Sequence, residues 1–230
     1  MQQHQLEWTP ERIQIFWDQY TSNEAHAGVY FSRLFGRSLI AYVRRRIHIG
    51  TPLDYGCGRG DFLSYLADAG CTELYGVEQS PESRDAVLRR IGSRAAIHLS
   101  VEPKPQSADT AFLIEVVEHM DDVALDAAFE QVRRALKSGG HLVITTPNDE
   151  DLAANSVLCP ECLAVFHVMQ HVRSWNATSL RKYAESHGFQ TLSIEATILS
   201  PHAGIVDRLW RMAKRALGAT PNLIYIGRKD

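Results

Sequence analysis

The sequence predicts an α/β protein built on a doubly wound parallel sheet with helices on both faces. Three observations carry that expectation. Residues Leu53 to Asp61 read Leu-Asp-Tyr-Gly-Cys-Gly-Arg-Gly-Asp, an apolar run that meets an acid and then three alternate glycines. Such a run is a strand turning tightly into a helix, with bare backbone facing a ligand. From Thr51 onward, strand-like and helix-like segments alternate. Finally, Leu74-Tyr75-Gly76-Val77-Glu78 ends a second apolar run on an acid, about 20 residues past the glycines.

The elements follow in order. Between Trp8 and Ile49, Ile13, Phe16, Trp17 and Tyr20 fall at helical spacing and predict a helical cap over residues 1–48. The first core strand leads from Thr51 into the glycines. A helix from Phe62 to Ala69 puts Phe62, Leu63, Leu66 and Ala69 on one face. The third strand, near Ala95 to Leu99, has the faintest pattern, and the fourth runs from Thr110 to Val116. Leu125, Phe129, Val132 and Leu136 form the stripe of the next helix, with Gly139-Gly140 expected as its C-cap and turn. The fifth strand spans His141 to Thr145. A helix from about Ser179 to His187 stops at Gly188, and strands near Thr191 to Ile198 and Asn222 to Gly227 complete a seven-stranded sheet. One domain over residues 1–230 is expected, with a long insert at about 147–175 after the fifth strand. Structureless connections beyond ~12–15 residues are uncommon unless they act as lids or bind ligands.

Composition narrows the class. With 230 residues, 45% hydrophobic and 22% charged, the chain has the balance of an ordinary soluble domain with a sizeable core. A net charge of −3 gives no general affinity for nucleic acid or anionic membranes. Met1-Gln2-Gln3-His4-Gln5 carries neither the basic nor the apolar region of a signal peptide, and no apolar stretch reaches membrane-spanning length. The expected location is therefore cytoplasmic. There the four cysteines are expected to stay reduced. Cys57 and Cys71 read as structural.

The glycine spacing is Gly56-x-Gly58-x-Gly60, not the G-x-G-x-x-G of a dinucleotide turn. Asp54 precedes it, and an anion there repels a pyrophosphate but suits a ligand carrying an ammonium or sulfonium charge. This nonapeptide resembles motif I of the class I S-adenosylmethionine-dependent methyltransferases. Leu136 to Ile144 resembles the helix, turn and fifth strand of the same family, and the resemblance covers roughly Pro52 to Lys229. It implies a Rossmann-like methyltransferase fold whose last strand lies antiparallel, with N-terminal helices that in many relatives cover the substrate. It also implies S-adenosylmethionine as cofactor. Asp54, Gly56, Gly58 and Gly60 would position its methionine end, Glu78 would take the ribose hydroxyls, and Gln79 and Glu115 would add contacts. Val101-Glu102 would lie near the adenine, although the acid that often follows the third strand in relatives has no clear counterpart.

Glu115-Val116-Val117-Glu118-His119 follows the fourth strand, at the carboxyl edge where ligands bind in open α/β sheets. It resembles the post-strand motif of the ubiquinone-biosynthesis O-methyltransferases and their small-molecule relatives. It is also similar to that of the small-RNA 2′-O-methyltransferases, in which two Glu and a His hold a metal with a later His. Transfer from a sulfonium needs alignment and removal of a hydroxyl proton. His119 is the candidate base, with Glu118 beside it. The alternatives are a metal held by Glu115, Glu118 and His119, or a bland role in which Glu118 caps the next helix.

Cys159-Pro160-Glu161-Cys162, then His167 and His171, give C-x2-C-x4-H-x3-H. Three readings stand: a tetrahedral zinc site using all four residues, a split arrangement in which His167 or His171 joins Glu115, Glu118 and His119, or buried cysteines with histidines on substrate. Zinc or another divalent metal is thus a candidate cofactor. Arg208 to Leu217 is basic and partly amphipathic, and reads as a solvated helix face in preference to a membrane surface. The expected function is methyl transfer to a hydroxyl of a small molecule or glycan precursor, with nucleic acid disfavoured as a partner by the acidic balance. A metal-dependent RNA 2′-O-methyltransferase and a non-catalytic cofactor-binding protein are the rivals, and a nicotinamide oxidoreductase is opposed by the glycine spacing and Asp54.

Overall fold

A computed structural model describes residues 2–22, 30–200, 204–218 and 221–230. The strands are β1 (His4–Gln5), β2 (Pro52–Tyr55), β3 (Glu73–Val77), β4 (Ala96–Ser100), β5 (Ala108–Ile114), β6 (Leu136–Pro147), β7 (Ser156–Leu158), β8 (Ala164–His167), β9 (Phe189–Thr197) and β10 (Asn222–Lys229). The helices are α1 (Pro10–Ser22), α2 (Phe31–Arg44), α3 (Asp61–Asp68), α4 (Pro81–Ile91), α5 (Asp122–Ala135), α6 (Ala177–Ser186) and α7 (Gly204–Ala216).

Seven strands form one sheet in the order β4-β3-β2-β5-β6-β10-β9. The first five are parallel, and β10 runs antiparallel to both β6 and β9. Alternate residues of the central strands enter two separate cores. Phe112, Ile114 and Val143 pack with Leu39, Val43, Phe62, Leu66 and Val87 of α2, α3 and α4. Ala111, Leu113, Leu142 and Ile144 pack with Leu125, Phe129, Val132 and Leu180 of α5 and α6. Period-two alternation with apolar residues on both faces is what helices on both sides of a parallel sheet require. The doubly wound expectation therefore holds, with the last strand reversed.

Three local expectations change. The apolar stripe runs on to Leu136, but α5 ends at Ala135, and Leu136 is already in strand conformation and pairs with Ala108. Leu136 is fully buried, so it fits the helical stripe while serving the sheet, and Gly139-Gly140 lie inside β6 rather than capping a helix. The fourth strand stops at Ile114, which leaves Glu115 and Val116 on the loop beyond its carboxyl end. Asp121, not Glu118, caps α5 by accepting from Ala124 N at 2.8 Å.

The insert after β6 folds into a hairpin of β7 and β8, and β1 pairs in parallel with β8 to make a second, three-stranded sheet. The amino-terminal arm and the insert thus form one lobe above the carboxyl edge of the main sheet. In α7, Trp210 approaches Phe35 with ring centroids 6.1 Å apart, while Leu209 and Met212 are exposed. Among the described residues, no helix is long and apolar enough to cross a membrane.

Candidate active site

The glycine turn joins β2 to α3. Gly56, Gly58 and Gly60 all have positive φ, at 79°, 51° and 78°. At Gly60, a Cβ would lie 2.9 Å from Val87 Cγ2, whereas at Gly58 it would meet nothing within 4 Å. Gly60 is therefore needed for packing of α3 against α4, and Gly58 keeps backbone bare toward open space. Glu78, just past β3, ties the turn together. Its Oε2 accepts from Gly58 N and its Oε1 from Ser80 N, each at 2.9 Å. Each carboxylate oxygen retains a lone pair for a ligand hydroxyl. Gln79 Nε2 donates to Val101 O at 3.0 Å, which fixes the loop after β4.

Asp54 is 3% exposed at the end of β2. Burial, with Glu78 close by, pushes its carboxyl up to about 8. A cationic ligand group beside it would offset both causes. A cleft of about 580 Å3 opens between α1 and α4, lined by residues that include Ile15, Arg59, Ser80 and Glu82. A larger hollow of about 760 Å3 lies at the amino ends of the strands, around Arg44 to Thr51, Glu73 and Asp109. It is at the opposite edge from the glycine turn, so it has no part in this site.

Beyond β5, Glu115 adopts φ of 52°, and Asn222 Nδ2 lies 3.4 Å from both of its carboxylate oxygens. Burial raises its carboxyl to about 7. Glu118 is 1% exposed; its Oε2 accepts from Thr146 Oγ1 at 3.0 Å, and its Oε1 has no hydrogen-bond partner. Burial and then Glu115 push this carboxyl well above the usual range. His119 Nε2 lies 3.9 Å from Glu118 Oε1, and its Nδ1 is also without a partner. Burial, and next the neighbouring His171, pulls its imidazole down to about 3. One nitrogen or oxygen each from Glu118, His119 and His171 lies within 4.8 Å of the others. Glu115 is not part of that group.

A second group joins Glu150, His167 and His171 at the same spacing. The four residues Cys159, Cys162, His167 and His171 do not converge. Cys159 and Cys162 sit at the tip of the β7–β8 hairpin, half-buried and exposed, and neither enters a metal-capable group among the described residues. Backbone N–H groups of Cys162 and Glu161 hold the Cys159 thiol below its usual range. The two histidines lie at the other end of β8, because strand β8 carries His167 away from the cysteine turn.

Aromatic residues of α1 close the site. The Trp17 ring meets His119 edge to face at 4.8 Å, and Trp17 Nε1 donates to Gln170 Oε1 at 3.0 Å. Gln170, fully buried with φ of 61°, donates in turn to His119 O at 3.0 Å. Trp8, Phe16 and Phe166 extend the cluster into the hairpin. Two site residues carry no sequence signal of their own. Glu150 is one acid in the run Asn148-Asp149-Glu150-Asp151, and nothing in the run separates it from its neighbours. Gln170 has no partner within reach in the sequence.

Comparison with known proteins bears on the fold and the family. Residues 34–194 match the methyltransferase-domain family Methyltransf_23. The tRNA U34 carboxymethyltransferase of Shewanella denitrificans is 32% identical over 141 residues, which cover 54% of this chain and 41% of that protein. The match thus spans about two fifths of the curated relative. A 1,6-didemethyltoxoflavin-N1-methyltransferase of Burkholderia thailandensis superposes with a TM-score of 0.66 at 14% identity, over 98% of this chain and 92% of that one. An S-adenosylmethionine-dependent methyltransferase of Mesorhizobium loti does so with a TM-score of 0.61 at 17% identity, over 84% and 98%. The glycine turn, the strand order and the family match together place this chain among the class I S-adenosylmethionine-dependent methyltransferases.

Proposed function

We propose that the enzyme methylates a hydroxyl oxygen of a small molecule or glycan precursor, and that Glu118, His119 and His171 manage that hydroxyl around a divalent cation. The observation behind this reading is Glu118 Oε1, a buried carboxylate oxygen left without a partner 3.9 Å from an imidazole nitrogen. Buried polar atoms are otherwise almost always satisfied. One carboxylate and two imidazoles fit a divalent ion of borderline hardness, with positions left open for an acceptor. A cation held there would lower the pKa of the hydroxyl and orient it.

S-adenosylmethionine, when bound, supplies a methyl group on a positively charged sulfur. The fit to this chain rests on the bare backbone at Gly58 and on Asp54, a buried acid that lacks a cation. Asp54 would draw the charged methionine end toward the sheet edge, and Glu78 would hold the ribose hydroxyls. Transfer to an oxygen needs that oxygen aligned with the methyl group and freed of its proton, and those are the two tasks left to this chain's residues. His119, pulled down to about 3, stays neutral and keeps a lone pair, which suits ligation better than proton abstraction. Glu118 must be ionised to ligate the cation, so the hydroxyl proton, loosened by that cation, would be lost to water as the acceptor binds. Trp17 excludes water from the same point.

A second reading comes from the curated relatives, whose acceptor is a tRNA. That likeness weakens the argument from net charge and makes an RNA hydroxyl the main rival. The test is transfer of labelled methyl groups to a panel of hydroxyl acceptors and to tRNA, with and without a chelator. The expected result is turnover on a small acceptor, lost on chelation and restored by added Mn2+ or Co2+. Turnover indifferent to chelation would remove the cation from the proposal. Binding of tRNA that weakens steeply with salt, followed by its methylation, would select the rival.

A further inference from the structure

The Glu150–His167–His171 group has the spacing of a second cation site, but its hydrogen bonds oppose that role. His167 Nδ1 accepts from the backbone N–H of both Met169 and His171, each at 3.2 Å. A nitrogen that accepts carries no proton, so in the neutral ring the proton sits on Nε2. That nitrogen lies 3.3 Å from Glu150 Oε1, too far off line for a full hydrogen bond, and has no other partner. A protonated nitrogen facing a carboxylate cannot ligate a metal. The other carboxylate oxygen, Glu150 Oε2, is bonded to His171 Nδ1. An ionised carboxylate only accepts, so Nδ1 of His171 must be the donor. Nε2 of His171 then keeps its lone pair.

We infer that Glu150 and His167 form a brace that fixes His171 in the Nδ1–H tautomer and presents its Nε2 lone pair to Glu118 and His119. The inference rests on the proposed function only for what that lone pair binds. Carboxylate-to-imidazole support of this kind fixes both tautomer and ring orientation of a ligating histidine. The packing agrees: the His167 and His171 rings stack at 4.3 Å with planes 14° apart, and both side chains are nearly buried, 2% and 9% exposed. Stacking blocks rotation of His171 on one side, while the His119 ring meets it at 4.8 Å and 65°. The brace is therefore held by both hydrogen bonds and shape. It also assigns Glu150 a positioning role that its place in an acidic loop does not suggest, and it gives the β7–β8 hairpin a purpose. His167 ends β8, so the hairpin sets the ring that backs His171.

The test is read first without any metal. In 15N-labelled full-length protein, imidazole spectra are expected to show His171 protonated on Nδ1 and His167 protonated on Nε2. Glu150→Gln offers one acceptor where two donors converge, and is expected to mix the His171 tautomers; Glu150→Ala is expected to release them. Titration with Co2+ alone, followed by its visible absorption, is expected to give about 10–100-fold weaker binding in both variants. His171 protonated on Nε2 in the native protein, or tautomers and Co2+ affinity unchanged in both variants, would overturn the brace. Native tautomers as expected with no Co2+ bound would support the brace and instead overturn the cation in the proposed function.

Discussion

Asp54 and Glu78 are both acids at strand ends, yet their surroundings differ. Glu78 is satisfied by two backbone donors, whereas Asp54 is buried and raised to about 8 from an ordinary 3.8. Between those values, the folded chain holds a proton that the unfolded chain releases. Stability therefore falls as pH rises across that window. Asp54→Asn is expected to flatten part of this slope in melting temperature against pH without cofactor, and to weaken S-adenosylhomocysteine binding about 10–100-fold by calorimetry. Glu78→Ala is expected to lose similar affinity, and unchanged binding in both variants would refute the assignment. His119→Ala is expected to leave cofactor affinity intact while removing most turnover. The positions of these three residues were legible: Asp54 stands within the last two residues of β2, just before the glycines, and Glu78 and His119 follow β3 and β5. His171 and His167 were legible only as alternatives, since the neighbours of His171, Glu150 and His119, lie about 20 and about 50 residues upstream.

At the level of elements, the three glycines separate packing from ligand access. Gly60→Ala meets Val87 and a left-handed φ, so a loss of more than about 2 kcal/mol is expected in urea unfolding. Gly58→Ala carries only the backbone cost, about 1–2 kcal/mol, and its larger effect is expected on cofactor affinity because its Cβ would enter open space. Equal destabilisation by both, with equal affinity, would contradict this division. The strands of the main sheet were readable because apolar runs broken by glycine and acid have few other folds open to them. The end of α5 was not, because Leu136 satisfies a helical period and a strand pairing alike. The pairing of β1 with β8 left no trace, since two residues cannot show a period.

Across the whole molecule, the amino-terminal arm and the insert meet beside the loop that follows β5, joined by β1 on β8 and by Trp17 on Gln170. Trp17→Ala is expected to raise amide exchange in both segments together and to lower turnover more than cofactor affinity. Exchange raised in α1 alone would show that the two segments move independently. The alternation of elements made the main sheet readable from the sequence, but this lobe depends on contacts between distant segments that no local pattern encodes. Trp17 and Gln170 stand 153 residues apart. Closing so long a loop carries an entropy cost before any contact rewards it, and contacts of this separation form late in folding. The five parallel strands β2 to β6 and the glycine turn can therefore assemble while the lobe is still open. During synthesis the chain would first gain the means to hold its cofactor, and only afterwards the chamber in which methyl transfer can be shielded from water.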